Sequence, residues 1–517
     1  MGNINEHQTR TDRLIEIGIA LSSELNLEIL LNKILRYARE LTSADAGTLY
    51  LLKDKSLHFT IMQNDSLGLK TGGEGAPIEL APVPVVKSNV SGYAAITGKT
   101  IKIDDLYESN SFDFTGPRRY DAMTGYHCQS MLVVPMKDHE ARIIGVVQLI
   151  NAIDPDTKRV IPFPQDTLDI AEALASQAAV AITNARLIKE TKDLFEGLIK
   201  VLAMALDSKS PSTHNHIHRV ALFNVTLAQA IHDEKEGPFA SVQFTKKQLE
   251  AIRVAGWLHD VGKIVTPIWM MEKIHKLEMP FDRIEHIRTR FNLISTLAKA
   301  RIHEQALSDG KADGKKEGVL QNKKGENIDN LKEDLEFLEQ CNSSTQPPSG
   351  KVLERLDKIA HKTYFFENRA LPYLTEDEQH HLSVRNGNLT EEELEVMRNH
   401  IVWTKRILAP IPFPDYLKNV SLYAAQHHEK LNGTGYPDGA QGKEIPLPSR
   451  ILAVADQYEA LTSGDRSYKK SLSHEETMKL MQESAMRGEI DRDIVELMIK
   501  NNIQEKFEQV LRNSPPV

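Results

Sequence analysis

With 517 residues, 41% of them hydrophobic and 26% charged, the chain has a soluble globular composition and is too long for one core, so two or three domains are expected. It holds no apolar run of about 18 residues, which excludes a transmembrane helix, and its net charge of −9 excludes a general nucleic-acid binder. Cys128 and Cys341 cannot make a disulfide framework, and polar residues 1–13 lack the apolar core of a secretion signal, so a cytoplasmic location without membrane insertion is expected.

The first expected element is a helix over residues 11–42, with Leu14, Ile17, Leu21, Leu25 and Ile29 at helical spacing. Strand-like runs follow at 46–52, 58–63, 100–103, 130–135 and 143–151, separated by turns such as Gly72-Gly73-Glu74-Gly75. This is an α/β pattern that closes on an antiparallel meander. The run Ser130-Met131-Leu132-Val133-Val134-Pro135-Met136, with Ile144-Gly145-Val146-Val147-Gln148-Leu149-Ile150-Asn151-Ala152, resembles the closing hairpin of a GAF domain. Gly92-Tyr93-Ala94-Ala95 and Asp104-Asp105 match that family's middle region. The resemblance covers residues 10–185 and implies an antiparallel sheet with flanking helices that senses an unknown small ligand; a dimerisation scaffold with an empty pocket is the competing reading. Of the pattern shown by cyclic-nucleotide-binding members, Asn151, Phe163 and Asp166 remain, too little to expect such a ligand.

Residues 165–207 hold no proline and one glycine, Gly197, so a long connecting helix is expected. Ile170, Leu174, Ala178, Ala181, Ala185, Ile188, Phe195, Leu198 and Leu202 recur near the coiled-coil period of ~3.5, which suits a signalling helix paired in a homodimer; an ordinary packed helix is the alternative. From Ser208 onward the pattern is helical without convincing strands. Residues 272–349 are rich in Lys and Glu, as expected of exposed helices joined by a mobile loop near 308–328, and Gln346-Pro347-Pro348-Ser349-Gly350 is a break.

The chemistry gathers in a few short segments. In Trp257-Leu258-His259-Asp260-Val261-Gly262-Lys263 an imidazole sits beside a carboxylate whose two oxygens can bridge two cations. His400 lies on an amphipathic helix, Gln426-His427-His428-Glu429 supplies adjacent imidazoles, and Asp456 stands in the apolar run Ile451-Leu452-Ala453-Val454-Ala455, where an unpaired charge is costly. Singly, each is explained by ordinary packing; together they point to a metal site.

His259-Asp260, His400, His427-His428-Glu429-Lys430-Leu431-Asn432-Gly433-Thr434-Gly435-Tyr436-Pro437 and Asp456, in that order, resemble the HD-GYP group of HD phosphohydrolases across residues 200–505. Ala205-Leu206-Asp207-Ser208-Lys209, continuing to His216, resembles the same family's first helix pair. The resemblance implies an all-α metal-dependent hydrolase that opens cyclic di-GMP to pGpG or GMP with two divalent ions, Fe or Mn. Asp260 would bridge, His259 and Asp456 would serve one ion and His400, His427 and His428 the other, with His216 a further ligand candidate. Lys263 would hold the phosphate. Arg466, Lys469 and Lys470 would hold the substrate's other phosphate, and Gly435, Tyr436 and Pro437 would approach a base or a diguanylate-cyclase-type partner. Many family members carry Glu where Asp207 stands, and three-metal members carry a further Glu near His216 where this chain has Ser212, which favours two ions over three. The alternatives are another cyclic dinucleotide or nucleotide as substrate, or an inactive interaction protein. His259 and His400 lie 141 residues apart, far more than the family pattern needs, so residues 272–382 are an insertion.

Overall fold

The computed structural model describes residues 15–513 except 22, 25, 74, 210–214, 310–316 and 464–470, with helical backbone alone inside 305–328. It divides into two compact units, Met1–Phe195 and Glu196–Val517. Among the described residues no helix is long and apolar enough to cross a membrane.

The first unit is built on an antiparallel sheet whose strands are β1 (Ala44–Lys53), β2 (Ser56–Asn64), β3 (Leu69–Thr71), β4 (Val83–Pro84), β5 (Ile101–Ile103), β6 (Met131–Lys137), β7 (Ile143–Ile153) and β8 (Val160–Ile161). The order is β3-β2-β1-β7-β6-β5, with β4 on β2 and β8 on β7. All five expected strands are present. Successive side chains point to opposite faces of a strand, and here both faces are covered. Leu132, Val134 and Leu149 pack against Leu30, Ile34 and Leu35 of helix Leu27–Thr42. Met131, Val133 and Val146 pack against Val90, Ala94 and Phe114 on the other side. Two buried faces explain why β6 and β7 read as largely apolar runs.

The single expected helix over 11–42 is two helices. Residues 15–21 are helical, a turn follows at Ser23, and Leu27–Thr42 begins afresh. Asn26 caps it, its side-chain oxygen accepting from the backbone N–H of Glu28 at 2.9 Å and Ile29 at 3.3 Å. On the second face of the sheet lies a cavity of about 610 Å³, lined by Tyr50, Phe59, Ser91, Tyr120, Cys128 and Gln148. Asn151 has φ 57° and secures the chain before β6: its oxygen accepts from Gln129 N at 2.7 Å and its amide donates to the His127 carbonyl at 2.7 Å. Phe163 is fully buried in the core, so two of the three remnants of the cyclic-nucleotide pattern, Asn151 and Phe163, have structural work here.

Helix Gln165–Asp207 runs unbroken, as expected. The expected seam does not hold along its length. Leu174, Ala178, Ala181 and Ala185 are buried in the first unit's own core, because small residues at that spacing let the helix lie close to its neighbours. In the first unit the exposed apolar positions are Val180, Leu187, Ile188 and Leu194; in the second they are Leu198, Val201, Leu202 and Met204.

Among the described residues the second unit is helical apart from one hairpin. Helices His216–Asp233, Lys246–Leu258, Leu447–Thr462 and Ile503–Asn513 form its body. Phe223 anchors it, with ring centroids 4.7 Å from Tyr458 and 4.8 Å from Phe507. The hairpin pairs Thr363–Phe366 with Arg369–Pro372, against the expectation of no strands. Its turn residues Glu367 and Asn368 both take positive φ without a glycine to announce it.

The insertion also differs from a set of exposed helices. Leu277, Ile287, Phe291, Leu338, Leu356 and Leu382 form a hydrophobic cluster of their own. Helices Ile284–Asp309 and Glu317–Ser343 leave only 310–316 of the expected loop outside the described residues. Lys273 is buried and salt-bridged to Glu393 at 2.7 Å, and Lys276 donates to the Val384 carbonyl at 2.8 Å, so both ends of the insertion are held to one another.

Candidate metal centre

Helix Lys246–Leu258 starts at a capping box on Thr245 and ends at His259, after which Val261–Val265 tightens into a 3₁₀ turn. That ending turns His259 and Asp260 into the interior, 0% and 2% exposed. Gly262 lies against helix His400–Leu408: a Cβ at this position would meet the His400 carbonyl oxygen at 1.9 Å. Gly262 N donates to Thr404 Oγ1 at 3.0 Å, and Thr404 Oγ1 donates to the His259 carbonyl at 3.1 Å. One buried threonine thus joins the segments on either side of the insertion, and the long gap in sequence leaves no gap in space.

Three histidines are oriented alike. The Nδ1 of His259 faces the Gly256 carbonyl at 2.7 Å, that of His400 the Met397 carbonyl at 2.6 Å, and that of His427 the Ala424 carbonyl at 2.6 Å. A carbonyl only accepts, so Nδ1 carries the proton and Nε2 offers a lone pair. These Nε2 atoms, with those of His216 and the Oδ1 of Asp260, are buried without a hydrogen-bond partner. Buried polar atoms left unpaired in this number are costly unless something else satisfies them.

The unpaired atoms converge in two groups. The donor atoms of His216, His259 and Asp260 lie within 4.8 Å of one another, as do those of His400, His427 and His428. Asp260 stands between them. Its Oδ2 is 3.3 Å from His259 Nε2 and 3.5 Å from His216 Nε2, while its Oδ1 is 3.4 Å from His400 Nε2 and 4.0 Å from His427 Nε2. Asp456, on helix Leu447–Thr462, adds an oxygen 3.3 Å from His216 Nε2 and 3.8 Å from His259 Nε2.

Electrostatics follow that layout. Burial opposes the charge on Asp260, yet Lys263 and His259 hold its carboxyl well below the usual range. Burial likewise opposes Asp456, and His216 outweighs it. Burial pushes His427 down to about 3 and holds His428 well below the ordinary value, so both rings are neutral at pH 7. His216 is the exception: despite burial, the carboxylates of Glu459, Asp260 and Asp456 raise it well above its ordinary value. Lys263 Nζ sits 2.5 Å from Asp260 Oδ2 and is engaged with the carboxylate.

Behind these groups stands a set of supporting residues with little sequence signal. Glu459, one turn beyond Asp456, pairs with His216 Nδ1 and with Arg219 at 2.5 Å. Buried Glu429 accepts from Asp438 N at 2.7 Å and Ala440 N at 2.9 Å, which closes the loop over 433–439. Gly435 leaves no room for a Cβ, which would meet Lys430 N at 2.3 Å. The loop places Tyr436 in a stack on His428, ring centroids 4.9 Å apart, with Arg398 5.9 Å from the Tyr436 ring. The structure therefore gathers His216, His259, Asp260, Lys263, His400, His427, His428 and Asp456 at one centre, with Tyr436 at its edge. Arg466, Lys469, Lys470 and Ser212 lie outside the described residues.

Comparison with known proteins accords with this geometry. Residues 26–182 match the GAF domain family and residues 375–494 the HD domain family. The chain contains a GAF domain and an HD domain. The matched HD stretch begins late in the insertion and takes in His400, His427, His428 and Asp456; His259-Asp260 precede it. A 3'3'-cGAMP-specific phosphodiesterase 1 of Vibrio cholerae is 35% identical over 129 residues, 25% of this chain and 29% of that protein. A cyclic di-GMP phosphodiesterase of the same organism is 36% identical over 131 residues, 24% of this chain and 25% of that protein. The chain spans about a quarter to a third of the length of these curated relatives. The GAF domain of an Acinetobacter phosphoenolpyruvate-protein phosphotransferase is similar in structure at a TM-score of 0.27 and 15% identity, covering 35% of this chain and 98% of that one.

Proposed function

We propose that the HD domain is a metal-dependent phosphodiesterase that hydrolyses cyclic di-GMP to pGpG and GMP, and that the GAF domain regulates it through a small ligand in its cavity. The observation that carries the reading is Asp260, with one carboxylate oxygen turned to each of two histidine groups, in which the Nε2 atoms of His216, His259, His400 and His427 are buried and unpaired. This donor set fits two divalent ions: His216, His259, Asp260 and Asp456 would hold one, and Asp260, His400, His427 and His428 the other. Imidazole and carboxylate ligands suit Fe or Mn. Two such ions lower the pKa of water and neutralise charge on phosphoryl oxygens.

The chain's own residues supply the rest. The carbonyls opposite each Nδ1 fix tautomer and ring direction, as outer partners of metal ligands do. Glu459 does the same for His216. Lys263 contributes a cation beside Asp260 for the phosphate, and Tyr436 with Arg398 offers an aromatic and cationic shelf to a guanine base. The exposed apolar positions of helix Gln165–Asp207 suit pairing with a second copy of the chain. The loop over 433–439 would present Tyr436 to a cyclase-type partner.

The test is incubation of Fe- or Mn-loaded protein with cyclic di-GMP, beside the Asp260→Ala variant. Appearance of pGpG or GMP from the wild-type protein alone supports the proposal. The name of the first relative above favours 3'3'-cGAMP as the alternative substrate, so it runs in parallel; cleavage of that compound alone would move the substrate assignment. Metal-loaded protein that cleaves neither would leave an interaction protein.

A further inference from the structure

The helix Gln165–Asp207 ends two residues before Lys209, and this half-buried lysine reaches back to the metal centre. Its ammonium has three N–H donors and no acceptor. Each donor has a carbonyl: Lys263 at 3.1 Å, Ile264 at 2.6 Å and Thr266 at 2.6 Å. Lys263 and Ile264 belong to the 3₁₀ turn Val261–Val265 and Thr266 is its C-cap, so these are the carbonyls at the turn's end, where a helical segment runs out of intrahelical partners; the Lys263 carbonyl also accepts from Thr266 N at 3.1 Å. A cation there also meets the negative end of the turn's dipole. Burial lowers the Lys209 pKa, yet the three carbonyls keep the side chain in place.

The turn it caps is not a peripheral one. It follows directly on Asp260, carries Lys263 with its 2.5 Å contact to Asp260 Oδ2, and presents Gly262 to the helix of His400. Release of Lys209 would leave the Ile264 and Thr266 carbonyls to water, take one of two donors from the Lys263 carbonyl, and free the turn that sets both Asp260 and Lys263. The geometry points to Lys209 as a positioning residue: it ties the end of the long helix to the turn that orients Asp260 and Lys263, and so makes turnover depend on where that helix ends. This rests on the phosphodiesterase reading for its effect on rate, though the tie itself does not.

The experiment compares the wild-type chain with Lys209→Met, which keeps the stem and removes the donors, and Lys209→Arg, which restores donors. Amide hydrogen exchange over 261–266 and steady-state kinetics on cyclic di-GMP are measured on the metal-loaded, full-length proteins, with metal content assayed on each. Lys209→Met should exchange faster at 261–266 while the GAF domain is unchanged, and kcat should fall by about 10–100-fold, the range for loss of an outer partner of a metal ligand, with KM within about twofold. Lys209→Arg should recover part of both. Unchanged exchange at 261–266 in Lys209→Met, or a fall in kcat that Lys209→Arg does not relieve, overturns the inference. If the wild-type chain cleaves no cyclic dinucleotide, the functional reading fails, and the exchange comparison still decides the role of Lys209.

Discussion

Thr404 is the cheapest place to separate the two halves of the centre. It is 0% exposed, and its hydroxyl accepts from Gly262 N and donates to the His259 carbonyl. Thr404→Val keeps the shape and removes the hydroxyl, so it strands a buried N–H and weakens the pairing of a buried carbonyl. Each stranded group costs about 1–3 kcal/mol, which gives an expected loss of roughly 2–4 kcal/mol for the second unit. Because the same bonds set His259 against His400, metal affinity should fall with stability. Urea unfolding followed by tryptophan fluorescence reads the first effect; Trp257 and Trp403 are close in sequence to the bonds in question. Metal titration reads the second. Thr404→Ser, which keeps both bonds, should stay near wild type. A Thr404→Val protein with unchanged urea midpoint and unchanged metal affinity would show that the hydroxyl does not join the two segments.

Gly262→Ala should also destabilise the second unit, since the added methyl meets backbone at 1.9 Å and overpacking of this kind costs about 1–3 kcal/mol or more; the urea midpoint checks it. Glu429→Gln keeps one acceptor of the two that close the 433–439 loop, so KM for cyclic di-GMP should rise more than kcat falls, measured in steady-state assays. Glu393 is pushed up by burial but held down to about 2 by His381, Lys273 and the Thr390 N–H. A depressed carboxyl stabilises the fold fully above its unfolded value of 4.5 and loses that contribution as pH falls toward 2. Glu393→Gln should therefore flatten the stability–pH slope between those values in acid unfolding experiments.

Several parts of this molecule were legible because one residue type can do only one thing there. Strands β6 and β7 are apolar at nearly every position, since both faces are covered. Asp456 could be singled out because a carboxylate within an apolar helix needs a partner. Gly262 and Gly435 stand where any Cβ would strike backbone. Other parts depend on tertiary partners and left no local trace. Thr404, Glu429, Glu459 and Lys209 are ordinary polar residues until the groups they bind are brought to them. The seam on the long helix misled because Ala178, Ala181 and Ala185 have the spacing of a coiled coil and of close packing alike. The insertion's high charge concealed a core made from well-spaced leucines, and the 363–372 hairpin turns on Glu367-Asn368 without a glycine to mark it.

The central claim is that Asp260 joins two cation sites. Elemental analysis of the Mn-loaded wild-type chain and of Asp260→Ala tests it most directly. The account predicts close to two ions per chain in the wild type and a loss at both sites in the variant, since each set of four ligands gives up the oxygen of Asp260. Three ions in the wild type, or a variant that still binds two, would contradict it.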